Sequence, residues 1–464
     1  MTAANTPEID GRFRAINRVS VRDTPQWRSL TPESQEAIQV VSLVLPFRTN
    51  RYVMDHLIDW DRVPDDPMYQ LTFSQKGMLR EEDYAGLARM VARGASREVL
   101  EAEANRIRLG LNPQPEGQKT HNVPTLQGLP LPGMQHKYRE TVLFFPKRGQ
   151  TCPAYCSYCF RWAQFVGVKD IRFAATSTEQ LVAYLKEHPE VTDVLITGGD
   201  PAVMRSLVLR QFIEPLLALD HLDSIRIGTK ALATWPQRFT HGDDADDLLR
   251  LFEEVVASGK QLALMAHYSH HVEMSTPAAE RAIRRVRSSG ANIRMQSPVA
   301  HRVNDSPQVW ADLLRTGVRL GCIPYYMFVV RDTGARDYFE VPLIRCWEIF
   351  QQAYQRVSGL ARTIRGPVMS AFPGKVHILG VTDMGNQRVF ALQYLQARNP
   401  ELARRPFFAR FDPQATWFDQ LIPATAEDAP FFKDNSTTPT PVSPITAPAS
   451  RPPLGHRPPD VTAR

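Results

Sequence analysis

The chain has 464 residues, 43% of them hydrophobic and 22% charged, so it can bury a large core and has an ordinary globular composition. Its net charge of +6 is not gathered into a basic block, which argues against a nucleic-acid site. No apolar run nears the roughly 18 residues of a membrane-spanning helix, which argues against a membrane protein. Five cysteines, an odd number, and no recognisable leader at the start predict a reducing, cytoplasmic setting rather than a disulfide framework.

Residues 1–135 read as a polar helical region. Leu87, Met90, Val91, Val99 and Leu100 recur at helical spacing over 81–108. The Pro- and Gly-rich stretch 110–133 is a connector. From 136 the texture changes to short apolar strands alternating with amphipathic helices. The strand at 142–145 leads into TCPAYCSYCFR, which carries Cys152, Cys156 and Cys159 as C-x3-C-x2-C with Tyr158 before the last cysteine. Three thiolates on one tight loop can hold three irons of a [4Fe–4S] cluster and leave the fourth iron open. A structural zinc site wants four ligands, and Cys322 and Cys346 each stand alone; both read as buried small hydrophobes.

A capping box at Ser177–Gln180 opens a helix through 186. Strands follow at 194–197, 225–228, 262–267, 293–299 and 323–330. Helices are predicted at 245–258, 277–288, 307–318 and 342–357, the first with Leu248, Leu249, Phe252, Val255 and Val256 on one face. This β/α alternation predicts an α/β fold with a parallel sheet, and about six units predict a partial (β/α)6 barrel with its chemistry at the C-terminal strand ends. The last 31 residues, 434–464, hold eight prolines among many Ser and Thr and read as a disordered tail. The predicted division is therefore 1–135, a core at 136–385, an extension at 386–433, and the tail.

Gly198-Gly199-Asp200-Pro201 follows the second strand, where two glycines let a ligand approach the backbone and a carboxylate can accept from an ammonium. By itself the tripeptide is an ordinary turn. After the cysteine loop, it resembles the S-adenosylmethionine (SAM) binding motif of the radical SAM superfamily. Longer stretches resemble the lysine 2,3-aminomutase family: HKYRETVLFF, VLITGGDP, HLDSIRIGTKALATWPQRFT, MAHYSHHVEMS, NIRMQSPVAHRVND and IPYYMFVVRDTG, with LPFRTNRYVMDHLID before them.

The resemblance implies an isomerase that moves an α-amino group to the β-carbon by radical chemistry. It implies a radical SAM barrel holding a [4Fe–4S] cluster, SAM and pyridoxal 5′-phosphate (PLP). It matches Lys375, in SAFPGKVHILG, to the lysine that carries PLP. Arg161 matches the residue that grips the substrate α-carboxylate, and His267 and Gln296 match positions lining the cofactor pocket. Asp332 matches one of two acids that hold a lysine side chain; at the other stands Ser370, and one carboxylate balances a desolvated ammonium less well than two. The substrate is thus an amino acid, lysine or a relative, and Arg331 would suit an acidic one if it faced inward. Asp332 is read as closing the sixth strand, so Arg331 and Asp332 should face opposite sides and not both point in. The family's zinc-binding cysteines have no counterpart after Cys346. A small-molecule substrate, a flavodoxin- or ferredoxin-like electron donor and a homo-oligomer complete the implied partners.

Two other readings stay open. The family's lysine loop has a longer run of glycines than the single Gly374 here, which supports a radical SAM enzyme of this family without PLP. A non-enzymatic iron–sulfur or zinc protein leaves Gly198–Asp200 unexplained.

Overall fold

The computed structural model describes residues 13–113, 115, 121–167 and 173–433. The predicted tail at 434–464 lies outside them. An eleven-stranded mixed sheet organises the chain, and its strand order is its sequence order. The strands are β1 Met134–Tyr138, β2 Thr141–Phe144, β3 Asp193–Ile196, β4 Ser224–Thr229, β5 Gln261–His267, β6 Asn292–Val299, β7 Ile323–Val329, β8 Arg365–Ser370, β9 Gly374–Met384, β10 Gln387–Ala397 and β11 Pro406–Arg410. From β2 to β8 all neighbours are parallel; β1 and β9 to β11 pair antiparallel.

Helix starts follow local chemistry. Thr276 and Ser306 each precede a proline at the first helical position, and their hydroxyls accept the N–H groups of Ala279 (3.1 Å) and Gln308 (3.3 Å). The helix Asp243–Ala257 buries Leu248, Leu249, Phe252 and Val255 against the sheet, while Val256 is 36% exposed. The periodic stretch at 81–108 is two helices, Glu81–Ala92 and Arg97–Gly110. Gly94 at φ +69° ends the first, and Ser96 caps the second, so Val99 turns to solvent. The helix Ser206–Leu217 and strands β8 to β11 add to the six predicted units.

The sheet rolls. Tyr138 on β1 and Lys375 on β9 are eight strands apart, which in a flat sheet means roughly 38 Å at about 4.8 Å per strand. Yet the Lys375 Nζ lies 5.6 Å from the Tyr138 ring centroid. Residues of β4, β5 and β6 alternate between a face packed on the helices (Ile225, Ile227; Leu262, Leu264; Ile293, Met295) and an inner face (Arg226, Gly228; Met265, His267; Arg294, Gln296). The outer face builds the main core. A second core, from the N-terminal helices, takes in Ala154, Tyr158, Trp162 and Ala163 of the cysteine loop and Val303, Val330 and Phe339 from beyond β6 and β7. The helical region therefore covers the C-terminal rim of the sheet.

Among the described residues no helix is long and apolar enough to cross a membrane.

Candidate active site at the C-terminal rim

The cysteine loop leaves β2 and is tied down from two sides. From the N-terminal region, Arg48 Nη1 donates to Thr151 Oγ1 (2.6 Å) and Asn50 Nδ2 donates to the carbonyls of Pro153 (3.2 Å) and Thr234 (3.0 Å). The Tyr155 and Ser157 N–H groups donate to Arg48 O and Leu71 O. From β3, Gly199 lies flat on the loop: a Cβ there would stand 2.3 Å from the Thr151 nitrogen, so only glycine permits this approach. Asn50 also caps the helix Arg51–His56, its Oδ1 accepting from Val53 N at 3.1 Å. Asn50→Ala removes a cap and both bonds to buried carbonyls, and is expected to cost about 2–3 kcal/mol in denaturant unfolding.

Cys152, Cys156 and Cys159 are unpaired and partly exposed. Burial pushes all three thiols up, Cys156 to about 12. Cys152 is also raised by Cys159 and Cys156, and Cys156 by Cys159, as expected for neighbouring thiols on one loop. Among the described residues no three His, Cys, Asp or Glu converge tightly enough for one metal ion. In a cubane the irons sit at separate corners and take one thiolate each. The donor set fits a cluster: three thiols, crowded and costly to ionise, that a metal would release from their protons.

Gly198 adopts φ +138° beside the Gln150 side chain. Asp200 is 1% exposed, and its oxygens accept from Thr229 Oγ1 (2.7 Å), Lys230 N (2.7 Å) and Ala202 N (3.0 Å). It stitches the β3 end to the β4 end rather than pointing into open space. His267 closes β5 and pairs in register with Gln296 on β6, so the two stand side by side on the inner face. Burial, with Lys230 nearby, holds His267 well below its ordinary value, and its Nδ1 is buried with no protein partner. A neutral imidazole with an orphaned nitrogen next to an amide fits a polar ligand such as SAM.

Arg161 lies between the rings of Phe145 (4.5 Å) and Phe160 (4.8 Å) and has no acid partner among the described residues. Burial brings it down to about 10, with Cys159 opposing and Arg331 adding to the fall. An uncompensated guanidinium over aromatic faces is suited to receive a carboxylate. Strand β7 ends at Val329, so Arg331 and Asp332 occupy the loop beyond it, and strand alternation does not apply to them. Arg331 packs on Phe160 and Trp417. Asp332 accepts from Asn112 Nδ2 at 3.1 Å, and its other oxygen is buried without a hydrogen bond.

Lys375 is not in a glycine loop. It sits in β9, opposite Ser370 on β8 and Gln396 on β10, and Nζ donates to Gln396 Oε1 (3.0 Å). Gly374 is needed because a Cβ would stand 2.5 Å from Gln396 O. The amine faces the Tyr326 ring at 4.7 Å and Tyr138 at 5.6 Å. Burial, then Arg226 and Arg365, bring it down to about 7. Arg365 stacks on Tyr325 and Tyr326 with no ion-pair partner among the described residues. A partly unprotonated lysine, flat aromatic walls and a spare guanidinium fit a pyridine aldehyde that carries a phosphate.

Lys375 shares the inner face with His267 and Gln296, while Asp200 is sealed in the wall and Asp332 is turned to the N-terminal region. Lys230, Glu273, Arg48 and Asn50 were not singled out from sequence. The inward polar residues Arg226 and Arg294, alternating with apolar ones, are the signal that marks this face.

No family model matches the chain. It is 30% identical over 396 residues to a protein of Aquifex aeolicus (strain VF5) named "Putative L-lysine 2,3-aminomutase", a match spanning 85% of this chain and 92% of that one. It is 29% identical over 232 residues to the L-lysine 2,3-aminomutase of Bacillus subtilis (strain 168), and 27% identical over 230 residues to that of Clostridium subterminale. Those matches span half of this chain and 46% and 52% of the two relatives. Among solved structures, Streptococcus suis SuiB bound to a precursor peptide aligns over 59% of this chain and 55% of its own, with 12% identity and a TM-score of 0.37, too distant to weigh. The long match to the Aquifex protein makes the chain a member of the lysine 2,3-aminomutase family, a family of isomerases.

Proposed function

We propose that this protein is a radical SAM amino acid 2,3-aminomutase that works with PLP in the rolled sheet, read as a partial (β/α)6 barrel. The observation that carries this is the convergence on one inner face of His267 and Gln296, beside the three-cysteine loop, with the buried Lys375 amine. When bound, the cluster and SAM supply a hydrogen-abstracting radical, and PLP supplies a π system that stabilises a migrating nitrogen. Cys152, Cys156 and Cys159 would hold the cluster from a loop that Arg48, Asn50 and Gly199 keep in place. Gly198, Gly199 and Asp200 would form the wall against which SAM lies, with His267 and Gln296 as its polar contacts. Lys375, close to half unprotonated at neutral pH, would attack the cofactor's carbonyl carbon, with Tyr138 and Tyr326 flanking the ring. Arg161 would aim the substrate carboxylate, and the N-terminal helices over the rim would exclude water.

The family resemblance leaves Asp332 as the one acid for a substrate ammonium, here already bonded to Asn112, and Ser370, opposite Lys375, leaves the second position uncharged. An amino acid other than lysine is therefore the expected better substrate. The test is anaerobic incubation of the reconstituted protein with SAM, PLP, dithionite and a pool of amino acids, with mass spectrometry for β-amino acids. The expected result is a β-amino acid that forms only when both SAM and PLP are added. SAM cleavage that ignores PLP would favour the PLP-free reading, and lysine turning over fastest would overturn the Ser370 argument.

A further inference from the structure

Behind the cysteine loop lies a buried ion pair that the reading above does not use. Lys230 follows β4, and its backbone N–H is held by Asp200. Its side chain is 8% exposed and its Nζ lies 2.6 Å from Glu273 Oε1, a side chain with no exposure. The same Nζ donates to Ser269 Oγ (3.1 Å) and to His267 O (3.2 Å). The second Glu273 oxygen accepts the N–H groups of Ser269 and His270. Ser269 Oγ is 2.6 Å from Tyr158 Oη, the residue between Cys156 and Cys159. One chain of contacts thus runs from Glu273 through Lys230 and Ser269 to the middle of the cysteine motif. Taking two charges out of water is costly, and well-packed apolar residues would serve stability at least as well. A pair retained there supplies a fixed charge. Its cationic end is the one linked to the motif: Lys230 Nζ donates to the same Ser269 Oγ that meets Tyr158 Oη, while the Glu273 carboxylate is held by the backbone N–H groups of Ser269 and His270.

We infer that Lys230 is a positioning residue of the cluster, a fixed positive charge behind Cys156 that raises the cluster's reduction potential, with Glu273 as the counter-charge that limits the rise. This rests on the reading of Cys152, Cys156 and Cys159 as cluster ligands. An added electron makes the cluster more negative, so a desolvated cation nearby favours the reduced state and an anion disfavours it. Ser269 and Tyr158 fix the distance between the cation and the loop.

The experiment reconstitutes the full chain anaerobically with iron and sulfide and first reads iron content and the EPR signal of the reduced wild type. No cluster at that point overturns the cysteine reading itself. With a cluster present, an EPR-monitored redox titration compares midpoint potentials. Lys230→Met is expected to move the midpoint to more negative values, Glu273→Gln to less negative ones, and Lys230→Arg to leave it near the wild type. Shifts of the same sign, or no shift in either charge-removing variant, overturn the inference. If Lys230→Met does not fold, a Glu273→Gln midpoint at or below the wild-type value does the same.

Discussion

Cys156→Ala, after reconstitution with iron and sulfide, is expected to show iron and broad visible absorbance near background and no cleavage of SAM by dithionite. Turnover should fall by at least about three orders of magnitude, the scale seen when a group on which the whole reaction depends is removed. The fold should survive. Cys156 is a partly exposed residue packed at the edge of the second core, and trimming it to alanine should cost only about 1 kcal/mol. Cys346→Ala is the matching control. Cys346 is fully buried in the main core, and its thiol donates to Val341 O at 3.5 Å. That variant should lose about 1–2 kcal/mol of stability yet retain the full iron content. Equal iron loss in both variants would mean that the effect of Cys156→Ala is general unfolding rather than loss of a ligand.

Lys375→Ala is expected to abolish the absorbance near 420 nm that PLP gains on joining a lysine, and with it amino acid turnover, while iron content stays at the wild-type level. The pH dependence follows from the amine. In the folded chain it titrates near about 7, well below the 10.5 of a free lysine, mainly because burial penalises the charged form. Only the unprotonated amine attacks, so the rate of PLP capture should rise through pH 7 and level off about one unit above it. The unfolded chain still holds the proton between about 7 and 10.5, so it binds more protons than the folded one over that window. Stability of the protein free of PLP should therefore rise with pH across the window, and fall as the pH drops toward 7 and the buried amine must take up its proton. Lys375→Met removes the group and should flatten that part of the profile. A capture rate that is flat from pH 6 to 9 would mean the amine is not so shifted.

Much of the molecule was legible in the sequence because its determinants are local. The six strands and five helices named from sequence were read to within about two residues, since apolar alternation, Thr276-Pro277 and Ser306-Pro307 act over one turn or one strand, while the helix Ser206–Leu217 was missed. The later strands escaped for the converse reason. In β9 and β10 the register shifts and the residues mix exposed and buried, so neither strict alternation nor a continuous apolar run marks them. Likewise Gly94 split a stretch whose periodicity alone reads as continuous, since one residue at positive φ outweighs the pattern on either side.

For the site, the spacing of Cys152, Cys156 and Cys159 and the order of the motifs are properties of the sequence itself. A loop of eight residues cannot separate its own thiols by much, so their proximity needs no tertiary information. What each partner faces was decided only by the roll of the sheet. That roll brings Tyr138 of β1 against Lys375 of β9 and sets Arg226 and Arg365 close enough to lower its amine. It closes Asp200 into the seam between β3 and β4, leaves Asp332 in a loop against Asn112, and buries Lys230 with Glu273 behind Cys156. These are encounters between residues tens to hundreds of positions apart, and charge and burial at such contacts depend on distance in space, which local pattern does not encode.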